Sequence, residues 1–317
     1  MNEKKLKLAV VGVGSLGQHH ARVYAEMPGV ALVGVVDRDL QRAQDIAAKY
    51  ACEAYDRIEP LIGQIDAASI VVPTVHHYAV SKRLLEEGVH LLLEKPMTTT
   101  LDEADALIAA SRQSGVVLQI GHIEQFNAGI RALKQHLTRP RFFECHRLGP
   151  FVGRGTDVHV ILDLMIHDLD IVLSLVPSTL SEIRAVGTSV LTPQIDIANV
   201  RLAFADGCVA NITASRVSQE KLRKIRIFES EAYFSMDYIA QEMVIYRRKI
   251  QTDGTPTIQV EKIAAEKEES LKAELAAFIQ SIRTQSAPQV SGDAGRRALA
   301  LALQIVDLIK NGQSSGA

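Results

Sequence analysis

The segment Leu6-Lys7-Leu8-Ala9-Val10-Val11 runs directly into Gly12-Val13-Gly14-Ser15-Leu16-Gly17, and a second apolar run, Ala31 to Val36, stops at Asp37. Three glycines in this spacing are a weak signal alone; their setting gives them meaning. They follow a run that reads as a buried strand and precede a helix-compatible stretch, Gln18 to Met27. An acidic residue closes the next strand about twenty residues on, as a dinucleotide site requires. Gly12 then serves the tight turn, Gly14 the close approach of a pyrophosphate, and Gly17 the contact of helix with strand. Ser15 and Leu16 complete the loop, and amides at the helix N-terminus face the phosphates. Asp37 accepts from the ribose hydroxyls, which favours NAD, whereas Arg38 beside it keeps NADP open.

Composition narrows the function classes. With 317 residues the chain has room for two domains, each with its own core. A formal net charge of −2 and the lack of a long basic block argue against nucleic acid as the main partner. No apolar run reaches membrane-span length, and the start Met1-Asn2-Glu3-Lys4-Lys5 lacks a signal-peptide core. Cys52, Cys145 and Cys208 are scattered without metal-ligand spacing and read as reduced core residues of a cytoplasmic protein.

Up to Gly121, short apolar runs alternate with helical periodicity, the pattern of a doubly wound α/β fold. Ala68 to Val72 reads as a strand ending at Pro73, and His90 to Leu93 as a strand entering Glu94-Lys95-Pro96. Asp102 is the expected N-cap of a helix through Ser114. Ligands bind beyond the carboxyl ends of such strands, so Pro73, Glu94, Lys95 and Gly121 are expected along one edge. The remainder reads as an α+β domain with an open, mostly antiparallel sheet. Its expected strands are Arg141 to Leu148, Ile183 to Val190, Ala198 to Phe204, Val209 to Ser215 and Leu222 to Phe228. Ala205-Asp206-Gly207 supplies a hairpin turn, one long helix runs from Val158 to Leu175, and two helices finish the chain. The expected domains are residues 1–121, a dinucleotide-binding Rossmann domain, and 122–317, for substrate binding and oligomerisation.

Asp163 and His167 are four apart in the long helix and share a face. A carboxylate one turn below an imidazole fixes its tautomer and raises its basicity, as a general base needs. His159, a turn further back, raises a metal site as an alternative, but no companion cluster offers a fourth ligand and no metal is expected. The bland alternative is a surface ion pair of little energetic worth. Lys95 stands where the chain leaves the sheet beside the cofactor crevice. Such a lysine can donate to an alcohol oxygen while hydride leaves the carbon.

The glycine fingerprint with His20 after it, Pro73 with His77, Glu94-Lys95-Pro96 and Asp163-x-x-x-His167 occur in this order over nearly the whole chain. Together they resemble the glucose–fructose oxidoreductase / inositol dehydrogenase (Gfo/Idh/MocA) family. The resemblance implies a sugar or polyol dehydrogenase with a nicotinamide cofactor, NAD with NADP possible, in which Lys95, Asp163 and His167 form the catalytic set. It adds Pro73, His77, Glu94 and Lys95 to the cofactor contacts. Two stretches depart from the common pattern, Val72-Pro73-Thr74 and Gly121-His122-Ile123-Glu124-Gln125-Phe126-Asn127. The second resembles members acting on nucleotide-activated sugars, in particular those that oxidise the 3-hydroxyl of UDP-N-acetylglucosamine on the way to lipid A. This adds His122, Glu124 and Asn127 as substrate contacts.

Arg147, Arg154, Arg216, Arg223 and Arg226 are candidates to hold a diphosphate by bidentate contacts. A free polyol such as inositol is the alternative substrate, and a non-catalytic NAD(H)/sugar sensor the alternative of another class. In the strand Val200 to Ala205, the residues Val200, Leu202 and Phe204 point towards the long helix. Ala203 and Ala205, with Ala210 and Ala214 on the neighbouring strand, are expected to form a small-residue outer face. That face suits a homodimer, or two such dimers in a homotetramer.

Overall fold

The first apolar run becomes β1 (Leu6–Val11), and the chain continues through α1 (Gly17–Glu26), β2 (Val30–Val36), α2 (Leu40–Tyr50), β3 (Glu53–Tyr55), β4 (Ala67–Ile70), α3 (His77–Glu86), β5 (His90–Glu94), α4 (Leu101–Gln113) and β6 (Leu118–Gly121). The six strands are parallel in the order β3-β2-β1-β4-β5-β6, the doubly wound arrangement the alternating runs predict. Leu8, Ala9 and Val10 are buried in succession because helices cover both faces of a parallel sheet. The structure, a computed structural model, describes residues 5–153, 157–264 and 267–314.

The chain divides into two units, Met1–Ile123 with Leu271–Arg297 and Glu124–Ser270 with Ala298–Ala317. This differs from a single boundary at residue 121. The helix Ser270–Thr284 returns to the first unit, where Leu275, Phe278 and Ile279 join Leu8, Val10, Tyr24 and Leu92 in one cluster. A parallel sheet needs that cover, and sequence distance is no obstacle to supplying it. The N-cap also differs from expectation. Thr100, not Asp102, caps α4; its side chain accepts from the Glu103 amide, and Glu103 reaches back in a capping box.

The second unit contains α5 (Ala128–His136), β7 (Phe142–Leu148), a π-helical turn Ile161–Met165 leading into α6 (Ile166–Leu175), then β8 (Leu180–Thr188), β9 (Ile197–Phe204), β10 (Val209–Ser215), β11 (Leu222–Phe228), β12 (Ala232–Asp237), β13 (Glu242–Ile250) and β14 (Pro256–Ala264). The closing helices are α7 (Ser270–Thr284) and α8 (Gly292–Ser314). Its sheet runs β14-β13-β12-β11-β7-β10-β9-β8, antiparallel except for β7 beside β10. Gly207, at φ +85°, makes the turn between β9 and β10, as Ala205-Asp206-Gly207 predicts. Strands β12 to β14 and helix α5 are additions to the sequence reading.

Val200, Leu202 and Phe204 are buried with Ile166, Leu169 and Val172 of α6, as alternation in β9 predicts. The reading of the outer face needs correction. Ala210 lies opposite Leu202 and Ala214 opposite Ala198, so both alanines belong to the core face and are fully buried. The outer face carries instead Asn199 bonded to Thr213 at 2.8 Å and Arg201 bonded to Asn211 at 3.1 Å. Further across it runs an aromatic ladder, Phe142, Phe228, Tyr233 and Tyr246, with successive ring centroids 5.6, 4.7 and 5.1 Å apart. Among the described residues no helix is long and apolar enough to cross a membrane.

Candidate active site

Backbone sterics at the first turn explain the three glycines. Gly12 adopts φ +88°, and a Cβ there would stand 2.6 Å from the Val71 carbonyl oxygen. A Cβ on Gly17 would fall 1.8 Å from the Gly12 carbonyl oxygen, so neither position admits another residue without displacing backbone. Around Gly14 no heavy atom approaches a Cβ position within 4 Å. That open space belongs to a cleft of about 870 Å³.

The cleft is lined by Gly12, Gly14, Ser15, Leu16, Asp37, Arg38, Pro73, Glu94 and Lys95, all expected as cofactor contacts. Asp37 accepts from the Val13 amide at 3.0 Å, so its carboxylate is tied to the glycine loop. Arg42, absent from the sequence reading, also reaches Asp37 at 3.2 Å and lines the cleft. Open backbone at Gly14, a carboxylate beyond β2 and amides at the start of α1 fit a dinucleotide.

His77 and Gly17 do not line the cleft. His77 is 1% exposed, with Nε2 2.9 Å from the Val72 carbonyl and Nδ1 3.0 Å from the Pro96 carbonyl. It therefore fastens the loop after β4 to the loop after Lys95, a supporting role in place of the expected cofactor contact. Burial holds its imidazole below the ordinary value, against the pull of those carbonyls. Its neighbour His76 faces the cleft instead.

Lys95 follows β5 directly, and its amide donates to the Glu94 carboxylate at 3.2 Å. Glu94 also meets His20 Nε2 at 3.4 Å. Burial pushes the Glu94 carboxyl up, but His20 and then Lys95 outweigh that and hold it below its ordinary value. A Cβ on Gly121 would lie 2.9 Å from the Glu94 carboxyl carbon, so the glycine ending β6 makes room for this pair.

Behind it lies Glu274, fully buried, with neither carboxylate oxygen hydrogen-bonded among the described residues. Burial, and then the charge of Glu94, raise its carboxyl well above the ordinary value. Two neighbouring carboxyls are thus shifted in opposite directions, Glu94 below its ordinary value and Glu274 above it. The sequence carried a signal: Glu274 stands on the apolar face of its helix, next to Leu275 and one turn from Leu271 and Phe278.

In the second unit Asp163 lies within the π-helical turn and His167 in the first turn of α6, both half-buried. The Ile166 amide reaches back to the Ile161 carbonyl, five residues away, which makes the turn wider than the expected continuous helix. Such turns occur frequently at functional sites. His159 is engaged elsewhere, its Nδ1 accepting from the Ile195 amide at 3.1 Å.

Arg147 is a correction to the diphosphate reading. It is 2% exposed, and its guanidinium bonds Asp168 twice, at 2.8 and 3.0 Å, and Glu124 at 2.8 Å. It also lies 4.9 Å from the centre of the Tyr238 ring. Glu124 is thereby paired with Arg147. Asn127 caps α5 by accepting from the Gly129 amide and donates to the Tyr238 carbonyl at 3.0 Å, which makes it structural as well. Arg216, 6% exposed, donates to the Val158 carbonyl at 2.5 Å and lies 3.7 Å from Asp196. It anchors the segment entering the π-helical turn. Arg226 pairs with Glu144 at 3.4 Å. His122, just past β6, is 1% exposed, and Arg154 lies outside the described residues.

Glu274 sets a stability prediction with a defined sign. Its carboxyl is held well above the ordinary value in the fold and returns to that value in the unfolded chain, so stability falls as pH rises above the ordinary carboxylate value. Glu274→Gln removes that dependence. Its melting temperature relative to the unmodified chain is expected to be higher at about pH 8 than at about pH 4. An offset that does not change with pH would contradict the assignment.

Residues 6–122 match the family described as the oxidoreductase family with an NAD-binding Rossmann fold, and residues 130–235 match the GFO/IDH/MocA C-terminal domain. The chain is 40% identical over 302 residues to UDP-N-acetylglucosamine 3-dehydrogenase of Acidithiobacillus ferrooxidans, covering 95% of this chain and 96% of that protein. A solved structure of that enzyme superposes with a TM-score of 0.92 at 39% identity, over 97% of this chain and 98% of the other. The scyllo-inositol 2-dehydrogenase (NAD(+)) of Bacillus subtilis is 27% identical over 235 residues, 68% of this chain and 69% of that protein. The chain belongs to the Gfo/Idh/MocA family and is an NAD-binding oxidoreductase acting on CH–OH groups.

Proposed function

We propose that the chain oxidises the 3-hydroxyl of UDP-N-acetylglucosamine, with NAD supplying the hydride acceptor when bound. One observation carries the chemistry: Lys95 lines the same cleft as Gly12, Gly14 and Asp37, which supports a role for this lysine beside the cofactor. The choice of substrate is supported by likeness to a named UDP-N-acetylglucosamine 3-dehydrogenase along 95% of this chain. In this reading His167 takes the hydroxyl proton, Asp163 fixes the imidazole for that transfer, and Lys95 stabilises negative charge developing on the oxygen. His122 contributes to sugar binding. The 3-keto product suits a transaminase that installs an amine, on the way to lipid A. The three free cysteines fit the reducing cytoplasm.

NADH formation with UDP-N-acetylglucosamine is the expected result, and free sugars or inositol are expected to be poor substrates. Lys95→Ala and His167→Ala should each lower turnover by about a hundredfold or more, leaving the NAD dissociation constant close to that of the unmodified enzyme. Near-normal turnover in both variants would contradict the roles given to them. NAD binding without turnover of any sugar would favour a sensor.

We also propose self-association through the outer face of the eight-stranded sheet, as a dimer or a pair of dimers. Its aromatic ladder from Phe142 to Tyr246 is only half-buried within one chain, and a two-fold axis is the simplest means of covering it. Light scattering should give a multiple of the 34.7 kDa chain mass. A mass equal to one chain would rule the assembly out.

A further inference from the structure

Four of the five arginines expected to hold a diphosphate are accounted for above: Arg147, Arg216 and Arg226 meet protein carboxylates, and Arg154 lies outside the described residues. Arg223 differs. It is half-buried, and among the described residues no carboxylate stands within ion-pair distance and no acceptor within hydrogen-bond distance of its guanidinium.

Strand register fixes its direction. Arg223 on β11 lies directly opposite Arg147 on β7. On β11 it alternates in phase with the buried Ile225 and Ile227, and on β7 Arg147 alternates with the buried Phe143 and Cys145. Both arginines therefore project from the helix-covered face of the sheet, which also carries the π-helical turn and α6. The half-buried pair Arg226 and Glu144 belongs to the opposite face. Burial, and then the charge of Arg147, make the Arg223 cation less favourable, with partial relief from Glu124, Asp168 and Asp163.

A half-buried cation set directly opposite another arginine, with no ion-pair or hydrogen-bond partner among the described residues, is a site that an anion completes. Asp163 falls within its electrostatic reach, which ties Arg223 to the proposed sugar-oxidising end of the unit. The planar guanidinium fork matches two phosphate oxygens, a geometry that lysine lacks. We propose that Arg223 binds the diphosphate of the nucleotide sugar and so distinguishes it from a free sugar. This rests on the nucleotide-sugar reading given above, which it deepens by naming the residue responsible.

Calorimetric titration of the full chain with UDP tests the assignment without relying on turnover. Arg223→Gln should weaken UDP binding by about tenfold or more, whereas Arg226→Gln, on the opposite face, should leave it unchanged. Arg223→Lys keeps the charge without the fork and should retain only part of the affinity. Should Arg223→Gln fail to melt cooperatively, Arg223→Lys carries the test, and full affinity in it would overturn the proposal. Unchanged affinity in Arg223→Gln, with the unmodified chain binding UDP, would overturn the role of Arg223 and leave the nucleotide-sugar reading standing. No UDP binding by the unmodified chain would overturn both.

Discussion

The Arg147 guanidinium, on β7, draws Asp168 of α6 and Glu124 ahead of α5 onto one buried cation, with the Tyr238 ring against it. The second unit depends on this arrangement, because it fixes α6, and with it His167, against the sheet. The two carboxylates neutralise a charge that burial alone would make prohibitive. Removing one partner from such a group costs about 3–5 kcal/mol, since an uncompensated charge is left behind. Arg216 acts similarly one step earlier, holding the Val158 carbonyl just before the π-helical turn. The segment carrying Asp163 and His167 is thus set from both sides by buried arginines bonded to protein groups.

In the first unit the corresponding constraint is steric and then electrostatic. The contact between Gly17 and the Gly12 carbonyl brings α1 against the turn and leaves space in front of Gly14. Glu94, tied to His20 and to the Lys95 amide, determines how the chain leaves β5. Burial, and then the charge of Glu94, raise the carboxyl of Glu274 nearby. His77 completes the frame by joining the loops that follow β4 and β5.

Much of this was legible in the sequence. The glycine spacing, Asp37 and the apolar runs before them were enough for the parallel sheet, because each depends on local sterics or a short period. Alternation in Val200, Leu202 and Phe204 gave the core face of β9 correctly. The diphosphate reading of Arg147 failed although its position alternates with Phe143 and Cys145, a sign that it points inward. Asp168 and Glu124, far off in the chain, supply the reason it can do so. Ala210 and Ala214 were assigned to the wrong face because small residues carry little phase information. Strands β13 and β14 are not legible in the sequence, because Arg247-Arg248-Lys249 interrupts the alternation of β13, and β14 is the edge strand. The π-helical turn has no glycine or proline to announce it.

Lys95 belongs to the first unit, and Asp163 with His167 to the second. The central claim is hydride removal from C3 of a nucleotide sugar, and it can be tested at the transferred atom itself. UDP-N-acetylglucosamine carrying deuterium at C3 should give reduced nicotinamide bearing that deuterium, as read by mass spectrometry of the dinucleotide. Reduced nicotinamide without the label would contradict the account.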